Sequence, residues 1–211
     1  MMIKVLAVLA MLMVSVPVFA QAITSGTDFL GVPTSNVMPA KDIALTVYSF
    51  GPNMMGADDN HDAYGITAGV GNGLEINVNG SLDHTSMENT VVGLKFNFEQ
   101  AAEDNGWVSP ALFLYGLGEG RTGIPGLAVT YVQPDSRFSF SGAGWYADGE
   151  WECGAGAGFV LTENIRLVSE YSTDCGAFGG VELSYEWLVG RILKAEEDDW
   201  FMEAGVRLPI W

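Results

Sequence analysis

The chain has 211 residues, of which 48% are apolar and 17% charged, with 27 glycines, two cysteines and a formal net charge of −17. That charge repels phosphate backbones and anionic headgroups, so nucleic acid is excluded as a natural partner. Beyond residue 20, no apolar run reaches the roughly 20 residues that a membrane-crossing helix needs.

Residues 1–20 read as a signal peptide. Lys4 supplies the positive start, Val5 to Val14 the apolar stretch, Pro17 a helix break, and Val18-Phe19-Ala20 a small-residue cleavage pattern before Gln21. Losing Lys4 takes the net charge from −17 to −18. No cysteine follows the cleavage site, which argues against a lipid-anchored lipoprotein. Residues 21–41 carry Pro33 and Pro39 and read as an irregular N-terminal lead-in, leaving 42–211 as a single β-barrel domain.

From residue 42 the chain alternates apolar and polar in segments of about ten residues, the strand period of two that gives a sheet one apolar and one polar face. Leu74-Glu75-Ile76-Asn77-Val78-Asn79 shows it most cleanly, and Val181-Glu182-Leu183-Ser184-Tyr185-Glu186-Trp187 repeats it. Strands are predicted near 42–50, 62–70, 73–82, 89–98, 107–117, 123–132, 137–147, 150–161, 165–173, 178–192 and 199–210. The separators have turn chemistry: Gly71-Asn72-Gly73 tolerates positive φ, and Pro134-Asp135-Ser136 presets a type I turn. Asp148-Gly149 and Glu163-Asn164 fit two-residue hairpin loops. Such short links make sequential strands antiparallel neighbours, hence an up-and-down meander. Eleven is odd, so either one assignment is wrong or residues 27–33 add a twelfth strand. The expected fold is all-β: an antiparallel up-and-down transmembrane β-barrel of about 10–12 strands with short turns.

Trp107, Trp145, Trp151, Trp200 and Trp211 fall near predicted turns or the chain end, and Trp187 alone falls mid-strand. Aromatic rings at strand ends suit the two interfacial girdles of a membrane barrel. On this pattern the chain resembles the outer-membrane β-barrel proteins of Gram-negative bacteria, over the signal peptide and the whole remaining length. The resemblance implies an outer-membrane location, outer-membrane lipid as surroundings, and recognition of the last strand by the barrel-insertion machinery. Met202, Ala204, Val206, Leu208 and Ile210 alternate there and Trp211 supplies a terminal aromatic, although Trp211 is one step off register and Pro209 cannot donate to the ladder.

The polar face collects Glu75, Lys95, Arg137, Glu152, Arg166, Glu170, Glu182, Glu186, Glu203 and Arg207, with Asn77, Asn79 and Asn97. Mixed charge on a confined wall predicts ion pairs across strands or across the lumen, because a lone buried charge is costly. Barrels of about eight strands are filled by side chains and those of 16–18 hold channels, so 10–12 lies nearer filled.

Other chemistry is sparse. The acids of 58–62, 103–104 and 196–199 read as solvated turns without metal-ligand spacing. No cofactor motif is present: Gly118 to Gly123 has the GxGxxG spelling, but strands flank it and no helix follows to face a phosphate. Gly154, Gly156 and Gly158, all inward, leave room for larger side chains across the lumen or for sharp curvature. Cys153 and Cys175 are a disulfide candidate in an oxidising compartment. A Glu163-Asn164 loop places Cys153 opposite Asp174, one position from Cys175.

Three functions follow in order of preference. The first is a small outer-membrane barrel with a structural or interaction role, or a narrow, partly plugged pore for small polar solutes. The second is an outer-membrane lipid hydrolase, for which His84 and Ser86 are the only nucleophile–base candidates. The third is a soluble periplasmic ligand-binding barrel, which would turn its apolar face inward. Oligomeric state is not legible in the sequence.

Overall fold

Twelve strands follow one another around a closed barrel in the computed structural model, which describes residues 32–34, 36–51, 61–82, 90–98, 108–118, 121–133, 137–173, 176–195 and 200–209. They are β1 (Asp42–Phe50), β2 (His61–Gly71), β3 (Leu74–Ser81), β4 (Val91–Asn97), β5 (Val108–Gly118), β6 (Arg121–Val132), β7 (Phe138–Ala147), β8 (Glu150–Thr162), β9 (Ile165–Ser172), β10 (Gly176–Tyr185), β11 (Leu188–Ala195) and β12 (Trp200–Pro209). Each pairs antiparallel with its sequence neighbours, and β1 closes on β12 from Asp42↔Pro209 to Phe50↔Phe201. Closure satisfies the backbone around the ring and leaves no open edge, the condition a sheet must meet in lipid.

The predicted strand 178–192 is two strands. Glu186-Trp187 is a turn, with Tyr185 opposite Leu188 and Glu186 at φ +53°. The count among the described residues is therefore twelve, an even number, reached by this split; residues 27–31 of the alternative strand 27–33 lie outside the described residues. A two-residue turn changes which residue parity faces inward. Even-numbered residues face inward on β10 and odd-numbered ones on β11, since Glu182 pairs with Arg191 and Gly180 with Leu193.

The other short links form as their residues dictate. Asn72 (φ +53°) and Gly73 (φ +76°) turn β2 into β3, and Asp148 (φ +49°) and Gly149 (φ +93°) turn β7 into β8. Glu163-Asn164 links Thr162 to Ile165, but the pairing slips between Val160 and Thr162. This bulge shifts the register by one, so Cys153 lies opposite Thr173 rather than Asp174, with the Thr173 amide donating to the Cys153 carbonyl at 2.9 Å. Cys175 and the turn 134–136 lie outside the described residues. Gly118 and Arg121 are paired ends of the β5–β6 hairpin, so the GxGxxG spelling belongs to a sheet and not to a phosphate loop.

The faces are unambiguous. Alternate residues are buried inside the ring, while Leu45, Ile66, Leu94, Leu112, Leu127, Leu167, Leu183, Ile192 and Met202 stand exposed outside it. This is the reverse of a soluble ligand-binding barrel. Exposed aromatics gather toward the strand ends. Tyr146 and Trp151 pack at 5.5 Å beside the 148–149 turn, and Phe138 packs on Phe159 at 4.5 Å near the opposite end. Trp187, expected mid-strand, lies in the turn at that opposite end. Trp145, expected in a girdle, faces inward and is buried. Detergent-purified protein is expected to give a β-type circular dichroism spectrum and to migrate differently before and after boiling. A helical spectrum, or full solubility without detergent, would contradict this fold.

Candidate functional site

The lumen is the only place where the described strands bring charged groups together out of water. Four of them form one row on consecutive strands. Arg166 on β9 is directly opposite Glu182 on β10, Glu182 opposite Arg191 on β11, and Arg191 opposite Glu203 on β12. Directly opposed residues share a face and lie about 5 Å apart, so the register itself makes the ion pairs. The contacts are 3.7 Å for Arg166–Glu182, 3.2 Å for Arg191–Glu182 and 3.6 Å for Arg191–Glu203. Arg191 and Glu203 are both buried, and alternation of sign along the row compensates each charge on both sides.

Small residues make room for this row. A Cβ on Gly158 would collide with the Arg166 guanidinium, so the glycine on β8 is what lets that side chain lie along the wall and reach Ser139 Oγ on β7 at 2.5 Å. The expectation that inward glycines accommodate larger groups thus holds at Gly158, and at Gly154, whose missing side chain is replaced by Val32 of the lead-in. One step from the charged row is an apolar one. Leu193 pairs with Phe201 and Phe201 with Phe50, whose rings lie 5.0 Å apart.

A second polar cluster lines the opposite wall. Lys95 Nζ and Glu75 Oε1 pair at 3.2 Å with both side chains fully buried, and Glu75 Oε2 accepts the Met38 amide at 2.8 Å. Asn97 and Ser109 hydrogen-bond at 2.9 Å, as do Thr130 and Ser141 at 2.8 Å. Trp145 Nε1 donates to Glu152 Oε2 at 2.5 Å, which explains why this tryptophan turns inward. Glu170 is buried on the same face.

Seven of the ten predicted wall residues therefore line the interior. Three do not. Glu186 is in the exposed turn, Arg137 is exposed just before β7, and Arg207 lies at the rim, where its Nη2 pairs with Asp42 Oδ2 at 2.6 Å. The residue missed was Arg191, at the centre of the charged row. Reading 178–192 as one strand placed it on the outer face, and only the Glu186-Trp187 turn brings it in. Among the described residues the inner wall holds five acids (Glu75, Glu152, Glu170, Glu182, Glu203) against three bases (Lys95, Arg166, Arg191), two negative charges in excess. No group of three or more His, Cys, Asp or Glu among the described residues could hold a metal ion. His84 and Ser86 lie outside the described residues, and Cys153 is exposed with no disulfide partner among them.

No family model and no curated protein matches this sequence. Solved structures do. A KdgM porin in complex with disordered oligogalacturonate superposes at TM-score 0.52 with 13% identity, over 79% of this chain and 97% of that one. A second KdgM porin structure gives TM-score 0.52 and 13% identity over 78% and 97%. The outer membrane protein Omp33 of Acinetobacter baumannii is 9% identical over 80% and 98%, at TM-score 0.47. At these identities the likeness is one of fold alone: a closed antiparallel barrel like that of the KdgM porin.

Proposed function

We propose that the chain resides in the bacterial outer membrane as a narrow, partly plugged pore for small polar solutes, with a preference for neutral or cationic ones. The observation that carries this reading is the polar, net-acidic interior enclosed by an apolar exterior. A lumen lined by paired charges is wettable, yet twelve strands leave little width once those side chains fill it. The KdgM porin was solved with an oligogalacturonate, a polymer of carboxylates. Arg166 and Arg191 here are each faced by carboxylates, which leaves no uncompensated cationic track for such a polyanion among the described wall residues. The hydrolase reading rests on His84 and Ser86 alone and gains no support from the wall chemistry. The outer-membrane lipid around the apolar belt and the barrel-insertion machinery at assembly are the partners this reading requires.

Single-channel recording in a planar bilayer tests it. Small, intermittent conductance is expected, and the reversal potential in a salt gradient should show cation preference. A large steady conductance, or anion preference, would contradict the proposal. Lipid hydrolysis abolished by His84→Ala, with no conductance, would favour the enzyme instead.

A further inference from the structure

We infer that the described part of the lead-in, residues 32–34 and 36–41, is a resident plug of the lumen, latched by the carboxylate of Glu75, and that the pore opens when this latch releases. The inference rests on the pore reading for its consequence, but not for its geometry. Lys41 takes φ +69°, a conformation uncommon outside glycine, and the Asp42 amide donates to the Pro39 carbonyl at 3.1 Å. This reversal turns the chain from the start of β1 back into the barrel. Val32, Pro33, Thr34 and Met38 are then buried, in a segment with no strand pairing of its own.

Both ends of the segment are seated. At one end the Lys41 amide donates to the Gly69 carbonyl at 3.0 Å, and Gly69 lies so close to the carbonyls of Met38 and Pro39 that no side chain fits between. At the other, Val32 is fully buried over Gly154 and clusters with Phe113, Ala128, Ala143 and Trp145. Gly69 is on β2 and Gly154 on β8, six strands apart in a ring of twelve. The segment therefore crosses the lumen from wall to wall. Residues 32–39 reach at most about 28 Å when extended, so they have length enough for that span.

The latch is chemical as well as steric. Glu75 has one oxygen on Lys95 and the other on the Met38 amide, all out of water. A charge-assisted bond to a backbone amide holds the segment independently of its sequence, beside the neutral backbone bond from Lys41 to Gly69.

The test uses the full chain in detergent and in bilayers, with Cys153→Ser and Cys175→Ser as background and Met38→Cys as reporter. The reporter keeps the backbone amide at position 38, and so keeps the latch. A charged maleimide should label the introduced thiol slowly. Glu75→Gln should raise the labelling rate about tenfold, the change expected for a lost charge-assisted hydrogen bond. Gly69→Ala, which alters no charge and only pushes on the segment, should do the same while heat-modifiable migration shows that the barrel is intact. Fast labelling of the parent, or no change in either variant, would overturn the plug. Faster labelling accompanied by a larger conductance supports plug and pore together. Faster labelling with no conductance keeps the plug and rejects the pore.

Discussion

Arg191→Ala is expected to destabilise the barrel by about 3–5 kcal/mol, the usual result of removing one partner from a buried charge pair. Arg191 is opposed by carboxylates on both sides, at 3.2 Å to Glu182 and 3.6 Å to Glu203. Removing it takes the Arg191 cation from Glu203 and leaves Glu182 with Arg166 alone, at 3.7 Å. Urea titration of folding into detergent micelles, followed by tryptophan fluorescence, should show a lower midpoint with little change in slope. Two controls separate charge from packing. Arg207→Ala removes an ion pair at the exposed rim and should cost only about 0–1 kcal/mol. Arg191→Met combined with Glu203→Gln should recover much of the loss, because fewer unpaired charges remain. If Arg191→Ala costs no more than Arg207→Ala, the row is solvated and the lumen is wider than the wall contacts imply.

The residue at the centre of this prediction was not legible in the sequence, and the reason is physical. Tyr185-Glu186-Trp187-Leu188 contains no Gly, Pro, Asn or Asp, so nothing local signals a turn. The alternation from Val181 also runs smoothly into it. Glu186 nonetheless adopts φ +53°, a conformation imposed by the pairing of β10 with β11 and not by its own preference. Missing that turn cost one strand and inverted the faces beyond it. Arg191 was then read as outward, and Glu186 as a wall residue. Elsewhere Gly, Asn and Asp at Gly71-Asn72-Gly73 and Asp148-Gly149 declare their turns, and strand bounds agree closely. The polar face was legible wherever those bounds were right, as at Glu75, Lys95, Glu170 and Glu203.

Two further features are non-local by nature. Which face meets solvent depends on how the sheet closes, and alternation alone is symmetric between the two choices. The path of residues 32–41 depends on cavities at Gly69 and Gly154, which exist only after β2 and β8 are placed on opposite walls. The bulge at Val160/Thr162 belongs to the same class. A single unpaired residue there moved Cys153 one position from its predicted partner. The disulfide proposal therefore now requires Cys175 to reach back past Thr173, and thiol labelling of unreduced protein tests it: two reactive thiols per chain would reject the bridge.

The assignment of the outer face can be tested one residue away from the inner one. Ile192 follows Arg191, is 58% exposed, and lies level with Val181 and Met202 in the outward apolar band. Ile192→Arg should destabilise the folded barrel by about 2–4 kcal/mol in lipid vesicles if that band lies at the bilayer midplane. Ile165→Arg, also outward but at the first position of β9, should cost only about 0–1 kcal/mol, because the guanidinium there can reach the interface. This depth dependence is the signature of lipid. On a water-facing surface both positions are exposed, and both substitutions would be nearly neutral. Equal and small effects at 192 and 165 would remove the membrane from the explanation of the apolar belt. A large loss at 192 alone requires hydrocarbon against that face, and with it an inward Arg191.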